Sequence, residues 1–314
     1  MVWGEEQSSP FCFLSTVCQF LALRRLPIMN QAYLQCGRYR LPIRAGAKPL
    51  VMGILNVTPD SFSDGGSYSA LEFALSHAEQ MIADGVDIID IGGESTRPGI
   101  APVSLQEELE RVMPVIYALR DCGKPLSIDT YKPEVMREAL IGEVDMINDI
   151  NGLRAAGAIE AVKDSAAGLC IMHMQGQPQT MQQQPVYEDV VDEVSDFLRQ
   201  RVKLLEEAGI KRNRMCIDPG FGFGKSIEHN FMLLNQTPRL IRELGLPLLA
   251  GMSRKSMIGA LTGKPLERRL AGSIGAALAA ATQGAMILRV HDVAETVDAL
   301  NVWHAGITGS IKIN

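Results

Sequence analysis

Val86-Asp-Ile-Ile-Asp-Ile91, followed at once by Gly92-Gly-Glu-Ser-Thr-Arg97, decides the fold: a short apolar run that ends in polar residues. Short runs of aliphatic residues are typical of strands buried in a parallel sheet. Seven further runs of this kind recur along the chain, and most end in a polar residue. They are 50–55 before Asn56, 126–128 before Asp129, 144–147 before Asn148, 169–172 before His173, 215–217 before Asp218, 246–250 before Gly251 and 285–288 before Arg289.

Segments with helical periodicity separate these runs, so that strand and helix alternate eight times. The predicted helices are 71–83, 105–119 behind a capping-box pattern of Ser104 and Glu107, 133–140, 187–208, 228–244 with a kink at Pro238, 266–283, and a last helix capped by Asp292 that runs to 304. Alternation alone also permits an open, doubly wound α/β sheet. Eight units without a second sheet favour a single-domain α/β fold, the TIM (β/α)8 barrel, in which the carboxyl ends of all strands meet at one mouth.

The composition excludes several classes of partner. The 314 residues include 46% hydrophobic and 21% charged residues, which suits one large core. A net charge of −6 without a Lys/Arg cluster argues against a nucleic-acid partner. None of the six cysteines stands in a CxxC pair, and Cys170 and Cys216 lie inside apolar runs, so we expect reduced thiols and a cytoplasmic protein.

Residues 1–28 do not fit the alternating pattern. Their apolar part, residues 11–23, is about half a membrane span. Acidic residues precede it while Arg24 and Arg25 follow it, which is the reverse of a secretory signal. We therefore expect no membrane segment, a disordered extension or a mis-assigned start over residues 1–28, and one barrel domain over residues 29–314.

Asp129, Asn148 and Asp218 each follow a predicted strand, so the barrel brings their side chains to one mouth. A lone aspartate at such a place is most often a turn former or a helix cap. Three acceptors at one mouth suit a ligand that presents several N–H donors in one plane, such as the guanidine-like edge of a heterocycle. Such a ligand would pair each acceptor in a dry pocket.

Residues 218–226, Asp-Pro-Gly-Phe-Gly-Phe-Gly-Lys-Ser, superficially match a phosphate-binding P-loop. The spacing from Gly220 to Gly224 is one residue too short for that motif. The glycines are better explained by close approach of backbone to a ligand, with Phe223 as an aromatic wall. Lys255, after the seventh run, is compatible with a Schiff-base lysine, a donor to a ring carbonyl or a surface charge.

Positive charge collects near the eighth strand. Arg289 and His291 alternate there and share a face, at the place where TIM barrels commonly bind phosphate. Arg97, after the second run, has the chemistry to hold a phosphate with two hydrogen bonds. Asn56 offers an oxygen ligand for a hard cation shared with substrate phosphates. His173, which lies between two methionines, is interpreted as structural.

Five motifs resemble those of the dihydropteroate synthase family, and the resemblance covers residues 49–305. They are Met52-Gly-Ile-Leu-Asn-Val-Thr-Pro-Asp-Ser-Phe-Ser-Asp-Gly-Gly66, Asp90-Ile-Gly-Gly-Glu-Ser-Thr-Arg-Pro-Gly99, Asp218-Pro-Gly-Phe-Gly-Phe-Gly-Lys225, Gly251-Met-Ser-Arg-Lys-Ser256 and Arg289-Val-His-Asp-Val293. The resemblance implies a TIM-barrel transferase of folate biosynthesis. It would join p-aminobenzoate to 7,8-dihydropterin-6-ylmethyl diphosphate with release of diphosphate, use Mg²⁺ and form a homodimer.

The resemblance also implies a role for each motif residue. Asp129, Asp218 and Lys255 would be catalytic, and Asn56 would bind Mg²⁺ together with the diphosphate. The residues that would hold the pterin diphosphate are Thr96, Arg97, Asp129, Asn148, Asp218, Lys255, Arg289 and His291. The residues that would line the p-aminobenzoate site are Phe62, Thr96, Pro98, Phe223 and Ser253.

An electron-rich dihydropterin stabilises a methylene cation, so we expect an SN1-like departure of diphosphate under two closing loops that exclude water. One alternative is a methyltetrahydrofolate–corrinoid methyltransferase-like barrel, which has no need of residues 95–99 or of the Arg289–His291 pair. Another is a non-catalytic pterin-binding paralogue, which should have lost site residues that are all present here. A Schiff-base aldolase built on Lys255 is a weaker third.

Removal of residues 1–28 is expected to leave catalytic activity unchanged, because none of the five motifs lies there. Steady-state rates of the full chain and of a chain that starts at Met29, measured side by side, check this. A severe loss of activity in the shorter chain would show that the extension contributes to the site.

Overall fold

The computed structural model describes residues 31–44, 46–57, 67–95, 99–176, 180–182 and 185–310. Of residues 67–69 it describes the backbone. The predicted extension over residues 1–28 lies outside the described residues. So do four residues of the predicted site, namely Phe62, Thr96, Arg97 and Pro98.

Strands and helices alternate along the described residues. The strands are β1 (Tyr33–Cys36), β2 (Tyr39–Pro42), β3 (Leu50–Asn56), β4 (Ile88–Gly92), β5 (Leu126–Asp129), β6 (Met146–Asp149), β7 (Gly168–Met172), β8 (Met215–Asp218), β9 (Leu249–Ala250) and β10 (Ile287–Val290). The helices are α1 (Ser67–Ala83), α2 (Leu105–Leu119), α3 (Pro133–Ile141), α4 (Ala158–Val162), α5 (Val190–Glu207), α6 (Ile227–Asn235), α7 (Thr237–Leu244), α8 (Ser256–Thr262), α9 (Leu270–Thr282) and α10 (Val293–Thr308). Short 3₁₀ turns, Arg212–Arg214 and Leu266–Arg268, precede β8 and α9.

Strands β3 to β10 form one parallel sheet that closes on itself. Its strand order is β8-β7-β6-β5-β4-β3-β10-β9. A parallel bridge between Ile217 of β8 and Leu248, just before β9, joins the two outer strands. The Ile217 N–H also donates to the Pro247 carbonyl at 2.9 Å. The predicted TIM barrel is confirmed, and its closure excludes the open, doubly wound sheet.

The side chains of the barrel strands alternate between two cores, because successive strand residues point to opposite faces. Outward residues such as Ile89 and Ile91 pack beneath the helices in the larger core. Inward residues such as Ile88 and Ile287 fill the amino-terminal half of the barrel interior. On β4, β6, β8 and β10 the next inward position, two residues further along the strand, is a polar residue near the mouth. These residues are Asp90, Asn148, Asp218 and Arg289.

Five of the predicted helices are single helices in the structure, with ends that differ by up to four residues, whereas α4 and α8 were not predicted and the other two predicted helices are divided near a proline. The predicted helix 228–244 is two helices, since α6 ends at Asn235 and α7 begins at Thr237. Pro238 stands in the first turn of α7, where its missing N–H costs nothing, so the predicted kink at Pro238 is wrong. The predicted helix 266–283 is also divided, because Pro265 opens a 3₁₀ turn before α9.

The two predicted helix caps have different outcomes. Ser104 Oγ accepts the Glu107 N–H at 3.2 Å, which confirms the Ser104 half of the predicted capping box, while the Glu107 carboxylate pairs with Arg111 instead. Asp292 stands at the N-cap position of α10 but makes no side-chain cap. Its carboxylate instead accepts from Arg254 Nε at 3.1 Å. The ion pair therefore competes successfully with the predicted capping bond.

An antiparallel hairpin of β1 and β2, which the sequence analysis did not predict, covers the amino-terminal end of the barrel. Leu34, Cys36 and Leu41 from the hairpin join the interior core of the barrel. The Gly37 N–H donates to the Ala166 carbonyl at 3.0 Å, just before β7. The barrel interior is therefore closed at this end and accessible from the opposite end.

A buried aspartate fastens the hairpin to the barrel. Asp145 accepts from Arg38 Nε at 3.1 Å and from Arg38 Nη2 at 3.0 Å. It also accepts the Leu126 N–H at 3.1 Å, at the start of β5. The same carboxylate thus connects the hairpin turn with two barrel strands.

Two general properties bear on the sequence-based expectations. The cysteines in the described ranges, Cys36, Cys122, Cys170 and Cys216, are free thiols. Across the same ranges, none of the helices combines the length and the hydropathy that a membrane crossing requires.

Asp145→Ala is expected to lower the free energy of unfolding by about 1–3 kcal/mol, because the Leu126 N–H and the partly exposed Arg38 lose their acceptor. Urea denaturation followed by circular dichroism measures the change. Glu207→Ala is the control, since it removes one partner of the exposed Lys203–Glu207 pair and should have no measurable effect. Equal losses in the two variants would contradict the role of Asp145.

Candidate active site

The register of the sheet places the predicted polar residues side by side at the mouth. Asn56 lies opposite Gly92, Gly92 opposite Asp129, and Asp129 opposite Asn148. Gly92 leaves space in this row, because a Cβ built on it would lie 3.7 Å from Asn56 Oδ1 and 4.0 Å from Asp129 Oδ2. Asp218 ends β8 at the same side of the barrel. The structure therefore brings Asn56, Asp129, Asn148 and Asp218 to one mouth, as predicted.

A buried network of ion pairs and hydrogen bonds joins four of the strands. Arg289 on β10 donates through Nε to Asp90 Oδ2 at 2.6 Å and through Nη2 to Asp129 Oδ2 at 2.7 Å. Asn148 Nδ2 donates to the same Asp90 oxygen at 3.0 Å. Asp90 is fully buried. Burial of a carboxylate is costly without a partner of opposite charge, and the Arg289 guanidinium is that partner. These bonds fix the orientation of both Arg289 and Asn148.

Asp90 is a site residue to which the sequence analysis gave no role. It stands inside an apolar run and belongs to one of the five motifs. Its spacing could have revealed its role, because Asp90 lies two residues from both Ile88 and Gly92. The three side-chain positions therefore share the inward face of the strand, and a carboxylate on that face needs a buried partner.

Burial raises the pKa of Asp129 to about 7, although Arg289 acts in the opposite direction, and the charge of Asp90 adds to the rise. The folded chain therefore keeps this proton at pH values where the unfolded chain, with a pKa of about 4, has lost it. Stability from this group is present at low pH and is lost as the pH rises through about 4 to 7. Burial lowers the pKa of Arg289, but Asp90 and Asp129 more than offset this and keep it charged.

Asp218 begins the segment that we call the glycine loop, residues 218–225. Its Oδ1 accepts the Gly220 N–H at 2.7 Å, which fixes the first turn of the loop. Gly220 has φ +72°, and a Cβ there would lie 1.9 Å from the His173 carbonyl oxygen. Gly224 has φ +61°, and a Cβ there would lie 2.4 Å from the Gln175 carbonyl oxygen. The sequence predicted that these glycines allow the backbone to approach a ligand. In the structure, Gly220 and Gly224 allow it to approach the segment that follows β7.

Lys255 lies against the glycine loop. Its Nζ donates to the Phe221 carbonyl and lies 4.5 Å from the centre of the Phe223 ring. Burial lowers the pKa of Lys255 to about 8, while the charge of Asp218 acts in the opposite direction. Burial raises the pKa of Asp218, and Lys255 opposes that rise. Lys255 is therefore a pocket residue coupled to Asp218, and the interpretation as a surface charge is wrong.

Ser253 and His291, which were predicted for two different subsites, are in contact. Ser253 Oγ lies 3.1 Å from His291 Nδ1 and accepts the His291 N–H at 3.2 Å. Ser253 is buried, and the next residue, Arg254, adopts φ +59°. This contact joins the loops that follow β9 and β10.

Lys225 is a second residue to which the sequence analysis gave no role. It is buried, and its Nζ lies 2.9 Å from His173 Nδ1 and 3.0 Å from each of the Gly220 and Phe223 carbonyl oxygens. The sequence offers no signal that separates such a lysine from an exposed one in a glycine-rich loop. His173, which was interpreted as a structural residue, therefore has a specific partner in Lys225.

The loop after β4 starts from a fixed point. Glu94 accepts from the Tyr131 hydroxyl at 2.9 Å and pairs with Lys132 Nζ. The buried Glu108 on α2 binds the same ammonium at 2.5 Å. This cluster holds the chain two residues before the predicted substrate-binding segment 96–98, which lies outside the described residues.

Asn56 is exposed at the mouth, where its amide oxygen faces the space above Gly92. In the ranges that the structure describes, no three His, Cys, Asp or Glu side chains lie together in a way that could hold a metal ion. A cation at this place would therefore need oxygen atoms of a bound substrate in addition to Asn56. Mg²⁺ commonly binds in this way to phosphate substrates.

Comparison with known proteins decides the family. A family model described as "pterin binding enzyme" matches residues 52–291. The dihydropteroate synthase of Haemophilus influenzae is 52% identical over 260 residues, which are 82% of this chain and 94% of that protein. The chain belongs to the dihydropteroate synthase family. The family assignment from the five motifs is thereby confirmed.

Solved structures of dihydropteroate synthases share this barrel. The Burkholderia cenocepacia enzyme complexed with 7,8-dihydropteroate has a TM-score of 0.81 and 55% identity, covering 89% of this chain and 98% of that chain. The Xanthomonas albilineans enzyme with 4-aminobenzoic acid has a TM-score of 0.82 and 51% identity, covering 89% of this chain and 99% of that chain. At this level of identity the likeness extends from the fold to the family.

Asp90→Asn is expected to lower the pKa of Asp129 below its value of about 7 in the unaltered chain. The substitution removes a nearby negative charge and leaves Asp129 as the one carboxylate paired with Arg289 among the described residues. Carbon-13 NMR titration of the aspartate carboxyl groups measures the pKa, and Asp129→Asn identifies the resonance by its loss. An unchanged or higher pKa would contradict the coupling across β4 and β5.

Proposed function

We propose that this protein is a dihydropteroate synthase, which joins 7,8-dihydropterin-6-ylmethyl diphosphate to p-aminobenzoate. The observation that carries the proposal is a single mouth where Asp129, Asn148 and Asp218 stand with Lys255 and Arg289. The relatives that carry the name dihydropteroate synthase match this chain over most of its length. The solved relatives with 7,8-dihydropteroate and with 4-aminobenzoic acid support the same pair of substrates.

The polar groups of the mouth complement a dihydropterin. Its aminopyrimidine edge presents N–H donors in one plane, for which Asp129 and Asp218 supply carboxylate acceptors and Asn148 an amide. Lys255 supplies a donor for the ring oxygen. Arg289 offers a planar guanidinium against which the ring can stack.

The diphosphate needs more positive charge than the described residues supply. Arg289 already neutralises part of the charge of Asp90 and Asp129, so one guanidinium faces two carboxylates before any substrate arrives. His291 and the predicted Arg97 add donors, and we assign Asn56 as the protein ligand of Mg²⁺. When bound, Mg²⁺ stabilises the negative charge that develops on the departing diphosphate.

The reaction breaks the bond between the pterin methylene carbon and the diphosphate oxygen, and the electron pair leaves with the diphosphate. The methylene cation is stabilised by the electron-rich dihydropterin and by the carboxylate of Asp129. The neutral arylamine nitrogen then forms the new C–N bond and releases one proton to solvent or to the diphosphate. No strong general base is required.

The arylamine occupies the outer part of the mouth. Phe223 supplies an aromatic wall for the arylamine, and Ser253 supplies a hydroxyl group to the same subsite. Phe62, Thr96 and Pro98 complete this subsite in the proposal. The loops that carry them would exclude water from the cation.

The proposal includes a cytoplasmic homodimer. Buried, unpaired cysteines suit a reducing compartment. Helix α10 exposes Val302 and Ile307, with 75% and 57% of their surface accessible, and these suit contact with a second copy. Light scattering coupled to gel filtration measures the mass in solution.

A coupled assay for 7,8-dihydropteroate, run with Mg²⁺ and after its removal by a chelator, tests the function. Product with Mg²⁺ and a strong loss without it support the proposal. Pterin binding without product would indicate the non-catalytic paralogue. Methyl transfer from methyltetrahydrofolate to a corrinoid would indicate the methyltransferase.

Asp218→Ala and Lys255→Ala are each expected to lower kcat/KM at least about 10²-fold, the loss typical of one preorganised polar contact. The coupled assay measures it under saturating Mg²⁺. Lys203→Ala is the matched control, because that lysine is exposed on α5 and, among the described residues, forms an ion pair with Glu207 alone. Rates like those of the control in either site variant would remove that residue from the site.

A further inference from the structure

We infer that Lys225 is a positioning residue that, oriented by His173, holds the glycine loop in the shape required by both substrate subsites. This inference rests on the proposed function, since the two subsites are those of the pterin and the arylamine. Lys225 does not itself face the mouth, because its Nζ is enclosed by the loop and by the end of β7.

The glycine loop is held by side chains rather than by a strand or a helix. From Gly220 to Gly224 each of the five carbonyl oxygens accepts a hydrogen bond from a side chain. The donors are, in chain order, Lys225, Lys255, Gln182, Lys225 and Tyr187. Lys225 alone among these donors serves two of the carbonyls. Its removal therefore takes a hydrogen bond from two loop carbonyls, of which Gly220 keeps the Phe223 N–H at 3.1 Å while Phe223 loses its side-chain donor.

The surroundings of Lys225 match an ammonium group. Three acceptors lie at 2.9–3.0 Å from Nζ, namely His173 Nδ1 and the carbonyls of Gly220 and Phe223. When Nζ is protonated, each of its three N–H donors has one close acceptor. Burial lowers the pKa of Lys225 to about 7, while the charge of Asp218 acts in the opposite direction. Burial and the charge of Lys225 lower the pKa of His173 to about 2, which leaves Nδ1 free to accept.

The imidazole of His173 is itself fixed. Its ring meets the Phe197 ring edge-on, with the ring centres 4.9 Å apart. The main-chain N–H of His173 donates to the main-chain carbonyl of Asp218 at 3.0 Å, which connects the end of β7 to the end of β8. His173 therefore positions Lys225 and the start of the glycine loop together, and this residue links the end of β7 to the site.

The loop shape determines the position of groups in both subsites. Asp218 is oriented by its bond to the Gly220 N–H, and the carbonyl of Gly220 is bound by Lys225. Phe223 lies beside Lys255, and the carbonyl of Phe223 is also bound by Lys225. Loss of Lys225 is thus expected to disturb the pterin acceptor and the arylamine wall at the same time.

Arg214 offers a control for general destabilisation. It too is a buried cation bound to main-chain carbonyls, with Nε 2.8 Å from Ala167 O and Nη2 2.9 Å from Val162 O. It precedes β8 and so lies at the amino-terminal end of the barrel, away from the mouth. A substitution there removes a similar set of bonds but leaves the glycine loop intact.

The test compares Lys225→Met, His173→Leu, His173→Asn and Arg214→Met. The readouts are kcat, the KM for p-aminobenzoate, the Kd for 6-hydroxymethylpterin by fluorescence titration, and the thermal midpoint. Asparagine can place an acceptor where histidine has Nδ1, whereas leucine cannot. We expect Lys225→Met and His173→Leu each to raise both the KM and the Kd about tenfold or more. In Lys225→Met the buried acceptors lose their donor, and in His173→Leu the donor loses the acceptor that orients it. His173→Asn should recover most of the loss, and Arg214→Met should lower the thermal midpoint alone.

Three results would overturn the inference. One is a Lys225→Met variant with unchanged KM and Kd. Another is an equal weakening in Arg214→Met, which would indicate general destabilisation. The third is a His173→Asn variant no better than His173→Leu, which decides the matter even if Lys225→Met does not fold. Failure of the unaltered chain to form 7,8-dihydropteroate would instead reject the proposed function. The pterin Kd values of the variants would still test the role of Lys225 in the glycine loop.

Discussion

The pairing of Arg289 with two buried carboxylates is the interaction on which the rest of the site depends. Asp90 and Asp129 stand on neighbouring strands in a desolvated interior, where a carboxylate needs a positively charged partner. Arg289 reaches both from β10, across β3. The same guanidinium thereby fixes the orientation of Asn148 indirectly, through the oxygen of Asp90 that they share.

The barrel separates stability from chemistry along its axis. The amino-terminal half of the interior is apolar, and the hairpin of β1 and β2 covers it. The carboxyl-terminal half carries charges that partly offset one another. This division explains how a mouth with several buried charges can exist, because the apolar half and the outer core under the helices supply the stabilising burial. Loss of hairpin contacts would therefore reduce stability before it altered the chemistry.

The barrel and most of the site could be predicted from sequence, because both depend on local patterns. Apolar runs ending in polar residues predict strands and the residues at their carboxyl ends, and Asp129, Asn148 and Asp218 follow from that alone. The hairpin escaped prediction because its strands, interrupted by Gln35 and Arg40, are not continuous apolar runs. Asp90 and Lys225 escaped because their importance lies in partners distant in sequence, Arg289 and His173.

Two of the departures from prediction have the same physical origin. Asp292 was expected to cap α10, yet its carboxylate binds Arg254, since a charged partner competes with a backbone N–H. The glycines of the glycine loop were expected to approach a ligand, yet Gly220 and Gly224 approach the chain after β7. In each case a contact between distant parts of the chain prevails over the contact that the local sequence favours.

The enclosure of Lys225 has a consequence for the response of the protein to salt. Dissolved ions weaken interactions between exposed charges such as Arg239 and Asp192, and at moderate ionic strength they largely screen charges more than about 10 Å apart. They have no access to an ammonium surrounded by carbonyl oxygens and an imidazole. The glycine loop should therefore keep its shape in concentrated salt while surface pairs weaken. Any salt dependence of substrate affinity would then arise at the open mouth, where the diphosphate meets solvent.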